Sequence, residues 1–457
     1  MDTYNFKTKP YDHQLEALTE SCDRKQYALF MEMGCGKSKV IIDNFVHLYE
    51  QKKVNNILIV APKGVYSTWV NKELELHIPD DIEYDVVKWS SSHTKKLLKQ
   101  LDNLFNYDNK LKILVMNIEA FSTKKGCFYA NKFLQANRTM FVIDESTTIK
   151  NLSAKRTKNC VRLGKYAHYR RILTGSPITK SPLDLYSQCM FLDPALLGFS
   201  SYYAFRARYA DMKEMTGQGR TFKFVTGYKN LDELNETLGK FSHRVLKKDC
   251  LDLPEKIYIR REIEMTPEQT KAYRELQKFA ATQLANNKLV TINHIMTQIV
   301  RLHQISCGFI GTDDGSITEL PNNRVSELSS ILEETDGKVI IWANYRHDIK
   351  RIEKLLIDTY GEDSVGTYYG DVKQERREYV INEFQNPNSP MRFFVGNTQT
   401  GGYGITLTAA STVIYFSNNY DLEKRLQSED RAHRIGQTNK VTYIDIVCER
   451  TVDEKIV

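Results

Sequence analysis

The sequence lacks three features that would place the protein in a membrane, in the secretory pathway or around a structural zinc ion. No uninterrupted apolar run approaches the length that spans a bilayer. The N-terminus lacks the charged and apolar regions of a signal peptide. The eight cysteines are scattered and form no C-x-x-C pair. We therefore expect a soluble, non-secreted protein with reduced and mostly buried cysteines.

The chain also lacks a strong excess of charge of either sign. Its net charge is +7 over 457 residues, which permits a basic groove for nucleic acid but does not require one. Hydrophobic residues make up 41% of the sequence and charged residues 26%, as in ordinary globular proteins. The length is too great for one core and indicates two or three domains.

Short apolar runs alternate with helical patterns in both halves of the chain, which predicts two α/β lobes joined near Pro254. The runs are continuous rather than alternating, so they indicate parallel strands covered on both faces. The predicted strands contain residues 57–60, 113–116, 140–143, 171–174, 338–342, 366–369, 392–395, 412–415 and 441–445. Between the lobes we predict helical or irregular structure over 194–253 and a long helical stretch over 267–307.

The segment Met31–Ser38 follows the apolar run Tyr27–Phe30 and ends in Gly-x-Gly-Lys-Ser, as a triphosphate-binding loop requires. Glycines let backbone N–H groups turn toward phosphates, Lys37 reaches the β/γ oxygens, and the Ser38 hydroxyl ligates Mg²⁺. The P-loop pattern has a glycine where Met31 stands. A glycine-rich helix start in an unrelated enzyme is therefore the alternative on this segment alone.

Two carboxylates, Asp144 and Glu145, directly follow the predicted strand that contains residues 140–143. At the carboxyl end of a parallel strand, Asp144 can hold Mg²⁺ while Glu145 polarises the attacking water. An acidic turn that caps the next helix is the alternative for such a pair in isolation. The P-loop upstream favours the catalytic interpretation.

Near the C-terminus, residues 421–434 predict a helix with Asp421 as N-cap and Gly436 as its end. Arg431 and Arg434 are three residues apart and would share one face of this helix. Two guanidiniums on one face are either an ordinary solvated edge or arginine fingers for a γ-phosphate.

Together these segments resemble the ATPases of helicase superfamily two, in particular the SWI/SNF-type DNA translocases, over nearly the whole chain. The branch itself lacks the first P-loop glycine, so Met31 agrees with it. The segments that resemble its motifs are Pro10–Gln14 (the Q motif), Met31–Ser38 (motif I), Ile59–Lys63 with Ser67–Trp69 (Ia), Asp144–Asn151 (II), Leu173–Ile178 (III), Ile341–Tyr345 (IV), Thr400–Ala410 (V) and Gln427–Gln437 (VI).

The resemblance implies two tandem RecA-like lobes, residues 1–250 and 251–457. The first would carry a helical insertion at about 194–250 and the second a helical segment at about 265–310, so that helical protrusions lie between motifs III and IV. ATP with Mg²⁺ would be hydrolysed in the cleft between the lobes. The chain would act as a monomer, without a membrane, in the cytoplasm or nucleoid of a bacterial or virus-infected cell, or in the nucleus if the source is eukaryotic.

The resemblance also assigns roles to individual residues. Hydrolysis would depend on Lys37, Asp144, Glu145, Arg431 and Arg434, with Ser38 and Asp144 on Mg²⁺. Nucleotide contacts would come from Tyr11, Gln14, Met33, Gly34, Cys35, Gly36, Lys37, Ser38 and Gly404. DNA contacts would come from Lys63, Ser67, Trp69, Asn344, Tyr345, Thr398, Gly401 and Gly402.

The resemblance also implies that the basic stretch from Arg206 to Lys229, between motifs III and IV, lies beside the duplex, with an ordinary solvated face as the alternative. Trp69 could likewise pack the lobe instead of contacting DNA. Motif II departs from the family, because Thr147 stands where a histidine usually links the ATP site to motif III. A threonine hydroxyl can still hydrogen-bond across such a gap.

The function implied is an ATP-dependent double-stranded DNA translocase that remodels protein–DNA complexes, forks or branched DNA. Its rivals are a strand-separating DNA or RNA helicase of the same fold and a nucleic-acid-binding scaffold whose ATP site has decayed. Branched and single-stranded DNA are the alternative substrates. Intact Lys37, Glu145 and Arg434 argue against the scaffold.

Overall fold

The computed structural model describes residues 4–92, 94–106, 109–217, 220–250, 252–285, 292–311, 316–401 and 405–457. The chain divides into two compact units, residues 1–252 and 253–457, called here the N-terminal unit and the C-terminal unit. Within the described ranges, every helix is too short or too polar to traverse a lipid bilayer.

The N-terminal unit is built on a parallel sheet with helices in the connections. Its strands are β1 Gln26–Met31, β2 Asn56–Ala61, β3 Tyr84–Lys88, β4 Leu111–Asn117, β5 Thr139–Asp144, β6 Tyr169–Leu173, β7 Ala210–Gly217, β8 Arg220–Tyr228 and β9 Ser242–Val245. Its helices are α1 Asp12–Ser21, α2 Lys37–Glu50, α3 Tyr66–Thr68, α4 Leu74–His77, α5 Lys95–Leu104, α6 Lys124–Ala136, α7 Lys155–Gly164, α8 Leu185–Leu192, α9 Tyr202–Tyr209, α10 Leu231–Gly239 and α11 Lys247–Cys250.

Seven strands form this sheet in the order β3-β4-β2-β5-β6-β1-β9, and all pairs are parallel. Successive residues of β1 enter different apolar cores: Leu29 and Met31 pack in one, Ala28 and Phe30 in the other. Both faces of the sheet are therefore covered, which explains why its central strands are continuous apolar runs.

The segment 194–250, predicted to be a helical insertion, is only partly helical. Strands β7 and β8 form an antiparallel hairpin, and β9 joins the sheet edge by pairing in parallel with β1. The β-branched and aromatic residues of β8 favour a strand. The sequence of β9, Ser-His-Arg-Val, is too polar for the apolar pattern that identified the other strands.

The C-terminal unit contains a second parallel sheet, in the order β10-β17-β16-β13-β15-β14. Its strands are β10 Lys256–Ile263, β11 Phe309–Gly311, β12 Ile317–Glu319, β13 Lys338–Trp342, β14 Val365–Tyr368, β15 Phe393–Gly396, β16 Ala410–Tyr415 and β17 Val441–Cys448. Its helices are α12 Pro267–Ala285, α13 Ile292–Ser306, α14 Arg324–Glu333, α15 Arg346–Tyr360, α16 Gln374–Gln385, α17 Thr398–Gly401 and α18 Leu422–Glu429. Strands β11 and β12 form a separate antiparallel pair.

Helix α18 begins as predicted, because the Asp421 side chain accepts from the backbone N–H of Lys424. It ends at Glu429 rather than at Gly436, so the prediction that Arg431 and Arg434 lie on a helical face is wrong. The carbonyl of Arg431 accepts from the N–H of Leu407 at 2.9 Å, so the helical ladder is not continued there. Both arginines lie in the turn that follows the helix.

Candidate nucleotide-hydrolysis site

The P-loop joins the end of β1 to the start of α2. Gly34 and Gly36 have φ values of +89° and +83°, a backbone conformation that residues other than glycine rarely adopt. Gly36 is the N-cap of α2. Lys37 is 9% exposed, and its ammonium group donates to the Met31 carbonyl at 2.9 Å and the Glu32 carbonyl at 3.4 Å. The loop is thus folded around its lysine at a helix N-terminus, where backbone N–H groups favour anions.

The Q-motif residues contact the P-loop itself. The carbonyl of Cys35 accepts from Gln14 Nε2 at 3.2 Å and lies 2.9 Å from His13 Nε2. A Cβ built on Gly36 would lie 2.1 Å from Gln14 Nε2, so this glycine is required by the contact. Tyr11, predicted to contact the nucleotide, is half exposed, and its backbone N–H donates to Gln14 Oε1. The adenine contact of Gln14 stays a prediction.

Residues in and just after β9, which the sequence did not mark as part of the site, contact the same loop. Arg244 donates to the carbonyls of Phe30 at 3.2 Å and Gly175 at 2.7 Å, and thus connects the P-loop strand to motif III. The backbone N–H of Lys247 donates to Glu32 Oε2 at 2.8 Å. No sequence motif marks these contacts, because they join residues more than 200 positions apart or depend on backbone groups.

A second thiol also lies beside the P-loop. Cys250 Sγ, on α11, is 3.9 Å from Cys35 Sγ. Burial, together with Cys250, raises the pKa of Cys35 to about 12, so its thiol is protonated near neutral pH.

Asp144 and Glu145 lie at the carboxyl end of β5, in the same sheet as the P-loop strand. Burial raises the pKa of Asp144, and the Lys37 ammonium, the Trp69 indole and the Glu145 amide oppose that rise. Glu145 adopts a left-handed backbone conformation with φ +50° and ψ +62°. For a residue other than glycine this conformation costs on the order of 1 kcal/mol and is typical of active sites.

Trp69, predicted to contact DNA, is 1% exposed and donates from Nε1 to Asp144 Oδ2 at 3.0 Å. The DNA assignment of Trp69 is therefore wrong, because its side chain faces the interior of the N-terminal unit. Glu73, four residues further on, acts electrostatically on the same carboxylate. Sequence analysis missed Glu73, although the Trp-x-x-x-Glu spacing places both residues on one side of a helical turn.

Motif II is joined to motif III through a residue outside either motif. The Ser146 hydroxyl donates to Gln188 Oε1 at 2.7 Å, and Gln188 Nε2 donates to the carbonyl of Pro177 at 2.8 Å. Ser146 and Gln188 are both completely buried. A side chain of α8 therefore links motif II to motif III, next to Thr147, which is 7% exposed.

In the C-terminal unit, the two motif VI arginines converge despite the early end of α18. Arg431 Nη1 and Arg434 Nη1 donate to the same carbonyl, that of Ile405, at 3.1 and 3.3 Å. Arg431 is 2% exposed and also donates from Nε to the carbonyl of Gln427. Arg434 is half-buried.

Asn397, just before motif V, connects that motif to motif IV. Its side-chain amide donates to the carbonyls of Ala343 and Asn344 at 3.2 and 2.7 Å, and its own carbonyl accepts from the N–H groups of Thr400 and Gly401. Thr398 is 7% exposed and accepts from Asn419. A Cβ on Gly401 would lie 2.5 Å from the Trp342 ring, so packing requires a glycine there.

The Tyr345 hydroxyl lies 2.8 Å from His303 Nδ1 and is directed toward α13. The contacts of Asn344, Tyr345, Thr398 and Gly401 with DNA stay predictions. Gly402 and Gly404 lie outside the described residues.

The remaining predicted DNA residues lie in the N-terminal unit, after β2. Lys63 is exposed, and Ser67 accepts from Lys88 Nζ at 3.4 Å. In the basic stretch, Arg208 is paired with Glu233 and Lys229 with Asp211, while Arg206 lies over the Tyr203 ring at 5.2 Å. Part of its positive charge is therefore neutralised locally.

This fold and site define a two-lobed P-loop NTPase of the helicase type. Residues 13–308 match the model of the SNF2-related domain, and residues 323–436 match the helicase conserved C-terminal domain. The chain therefore belongs to the SNF2-related family. This membership confirms the predicted family, the tandem RecA-like fold and an enzyme that hydrolyses ATP.

Curated relatives with similar sequences include the Schizosaccharomyces pombe "Chromatin structure-remodeling complex subunit snf21", 26% identical over 93% of this chain and 36% of its own length. An "Uncharacterized ATP-dependent helicase" of Mycoplasma pneumoniae is 26% identical over 93% of this chain and 38% of its own length. The Arabidopsis thaliana "Probable ATP-dependent DNA helicase CHR12" is 25% identical over the same shares. The chain thus spans little more than a third of the length of these relatives.

Among solved structures, the chain is similar to the Sulfolobus solfataricus SWI2/SNF2 ATPase core. The core in complex with dsDNA is 24% identical, with a TM-score of 0.45 over all of this chain and 91% of that chain. The core domain alone is also 24% identical, with a TM-score of 0.43 over all of this chain and 89% of that chain.

Proposed function

We propose that this protein is an ATP-dependent translocase on double-stranded DNA that uses Mg²⁺. The observation that carries the proposal is the assembly, at the carboxyl ends of one parallel sheet, of a P-loop folded around Lys37 and a buried carboxylate pair. An inactive descendant would not be expected to retain the left-handed Glu145 or the buried Lys37. Relatives named for chromatin remodelling and DNA helicase activity support DNA as the substrate.

The residues present fit a magnesium ion. Asp144 offers a carboxylate at the strand end, and Ser38 is the second residue of α2, the position of the metal-binding hydroxyl in a P-loop. These two residues would hold Mg²⁺, which when bound neutralises charge on the β- and γ-phosphates. Lys37 would bind the same phosphates, and Glu145 would orient the attacking water.

Turnover is proposed to require both units. The phosphate and carboxylate groups belong to the N-terminal unit, and the paired guanidiniums of Arg431 and Arg434 belong to the C-terminal unit. An arginine finger is worth on the order of 10³ or more in turnover. Stimulation by DNA would follow if duplex binding favours the arrangement in which both sets act on one nucleotide.

The first test measures phosphate release with and without duplex DNA. We expect stimulation by the duplex, complete loss in Lys37→Ala, and a loss on the order of 10³ in Arg434→Ala with ATP binding retained. Arg346→Ala is the matched control, because Arg346 is an exposed arginine of the same unit, paired with Asp371. Equal release with and without DNA, or undiminished turnover in Arg434→Ala, contradicts the proposal.

The second test separates the translocase from a strand-separating helicase. A translocase displaces the third strand of a triplex but leaves a forked duplex paired, whereas a helicase unwinds the fork. Lys63→Ala should raise the DNA concentration that gives half-maximal stimulation several-fold, because phosphate contacts supply much of the affinity. Lys53→Ala, at the opposite end of β2 and paired with Asp23, should not. Unwinding of the fork would support the rival.

A further inference from the structure

Trp69 is the only described tryptophan that contacts the predicted metal-binding carboxylate. It begins a π-helical turn, Trp69–Glu73, inserted between α3 and α4, and the N–H of Leu74 closes that turn on the Trp69 carbonyl. Turns of this type are rare and are frequent at functional sites, because the extra residue changes the direction of the side chains. Here the turn directs the indole N–H at Asp144 Oδ2, 3.0 Å away.

Among the described residues, both oxygens of Asp144 accept a hydrogen bond. Oδ2 accepts from the indole, and Oδ1 accepts from the backbone N–H of Glu145 at 3.0 Å. An ionised carboxylate has about four acceptor positions, so about one remains on each oxygen for a metal ion or its water. Rotation of the carboxylate about its terminal torsion would break both bonds, so its plane is fixed.

The chemistry of indole suits this task. It donates one hydrogen bond and has no acceptor, so it cannot ligate a metal ion or compete with one. A lysine or arginine in its place would neutralise the carboxylate and weaken its affinity for a cation. The ring is also held by packing, since Trp69 is 1% exposed and lies in the apolar core that contains Leu74.

We propose that Trp69 is a positioning residue: its indole N–H fixes the orientation in which Asp144 binds the metal ion of the ATP site. This rests on the proposed function, in which Asp144 holds Mg²⁺. Donors that orient ligating carboxylates commonly change metal affinity by about 10- to 100-fold when removed. Trp69 therefore should act on metal binding before any chemical step takes place.

The test compares Trp69→Phe with Trp89→Phe. Trp89 is the matched control, because it is 2% exposed, lies in the same unit and packs beside the Tyr129 ring. Mn²⁺ binding to the full chain in the presence of ADP is measured by electron paramagnetic resonance, and ADP binding in EDTA by calorimetry. We expect Trp69→Phe to lose about 10- to 100-fold in Mn²⁺ affinity and to bind ADP in EDTA as the wild type does. Trp89→Phe should leave both affinities unchanged.

Two results overturn the proposal: wild-type Mn²⁺ affinity in Trp69→Phe, or an equal loss of ADP binding in EDTA, which indicates general damage to the pocket. Asp144→Asn separates this inference from the proposed function. If Asp144→Asn also leaves Mn²⁺ binding intact, the metal site itself is misassigned. If Asp144→Asn abolishes Mn²⁺ binding and Trp69→Phe does not weaken it, the metal site is correctly assigned and the proposed role of Trp69 is wrong.

A second measurement keeps Trp69 in place. The chain has three tryptophans, Trp69, Trp89 and Trp342, so an amide-correlated NMR spectrum of the metal-free protein contains three indole N–H resonances. The Trp69 resonance, identified by its absence in Trp69→Phe, should move upfield in Asp144→Asn because a charge-assisted hydrogen bond becomes a neutral one. An unchanged Trp69 resonance would also overturn the proposal.

Discussion

Gln188 donates its side-chain amide to the carbonyl of Pro177 at 2.8 Å, and through this bond α8 contacts motif III. The same side chain accepts from the Ser146 hydroxyl and donates to the carbonyl of Asp184. Motifs II and III are therefore joined by one buried amide, with Thr147 in the place of the usual histidine.

We predict that Gln188→Leu weakens the coupling between ATP hydrolysis and DNA. Leucine leaves the buried Ser146 hydroxyl and the Pro177 carbonyl unsatisfied, which should lower the free energy of unfolding by about 1–3 kcal/mol. The stimulation of phosphate release by duplex DNA should fall more than the basal rate does. Urea denaturation and phosphate-release assays measure the two effects.

Ser21→Ala is the control for this prediction. Ser21 is also completely buried in the N-terminal unit, and its hydroxyl donates to the carbonyl of Ala17 in α1. Its loss should lower the stability of the same unit without a change in DNA stimulation. A Gln188→Leu protein with normal stimulation would show that the Ser146–Gln188–Pro177 link is structural only.

The parallel strands could be predicted from the sequence because each core strand is a continuous apolar run. The P-loop and the Asp144–Glu145 pair were also predictable, since each is a local pattern at the end of such a strand. The edge strands β9 and β10 are more polar and lack a continuous apolar run, so they were not predicted.

Long-range side-chain contacts could not be predicted from local patterns. The Trp69–Asp144 bond joins residues 75 positions apart, and no local spacing encodes it.

The end of α18 shows that capping residues in the sequence do not by themselves determine where a helix stops. Asp421 and Gly436 mark a start and an end by residue type, but tertiary contacts of the backbone decided where the helix stops. The N–H of Leu407, in motif V, donates to the Arg431 carbonyl. The prediction that Arg431 and Arg434 act together was made from helical spacing, and the structure brings them together through the Ile405 carbonyl instead.

Arg171→Lys should destabilise the N-terminal unit. The Arg171 guanidinium is fully buried and donates to Asn44 Oδ1. It also donates to the carbonyls of Ser21, Arg24 and Lys25, at and just after the end of α1, and to that of Arg170 in β6. A lysine has three donors in a compact group and cannot reach this set. We expect a loss of about 2–4 kcal/mol in the free energy of unfolding, measured by urea denaturation.

The neighbouring Arg170→Lys is the control. Arg170 is partly exposed and makes a longer bond, 3.4 Å, to the carbonyl of Phe191. Its substitution should cost well under half as much as Arg171→Lys. Equal losses of unfolding free energy in the two variants would mean that the buried hydrogen bonds of Arg171 add no stability beyond that of an ordinary arginine.

Gly401→Ala should destabilise the C-terminal unit through a steric clash. The added Cβ would lie 2.5 Å from two atoms of the Trp342 ring, and Trp342 is completely buried. Overpacking of this kind typically costs about 1–3 kcal/mol. Combining Gly401→Ala with Trp342→Phe should recover part of the loss, because the smaller ring lacks the two clashing atoms.

Gly239→Ala supplies the comparison for Gly401→Ala. A Cβ there has open space around it, so the substitution should be neutral or slightly stabilising in the helix α10. Thermal unfolding followed by circular dichroism measures all of these variants beside the wild type. If Trp342→Phe fails to offset any of the Gly401→Ala loss, the clash is not the cause.

Asp348 should make the stability of the C-terminal unit depend on pH between about 4 and 6. Burial raises the pKa of Asp348 from 3.8 to about 6, although Arg351 and the Ser417 hydroxyl stabilise its ionised form. Because the pKa is higher in the folded state, the stabilisation is complete below pH 4 and is lost as the pH rises through 6. A shift of about two units corresponds to roughly 3 kcal/mol.

The measurement is the difference in unfolding free energy between the wild type and Asp348→Asn, taken at several pH values in a Trp69→Phe, Trp89→Phe background. Trp342 is then the remaining tryptophan and reports on the C-terminal unit. Relative to Asp348→Asn, the wild type should lose stability as the pH rises from 4 to 6 and show a constant difference above it, because the amide introduced by the substitution does not titrate. A flat difference for Asp348→Asn would show that its carboxyl group titrates as it does in the unfolded chain.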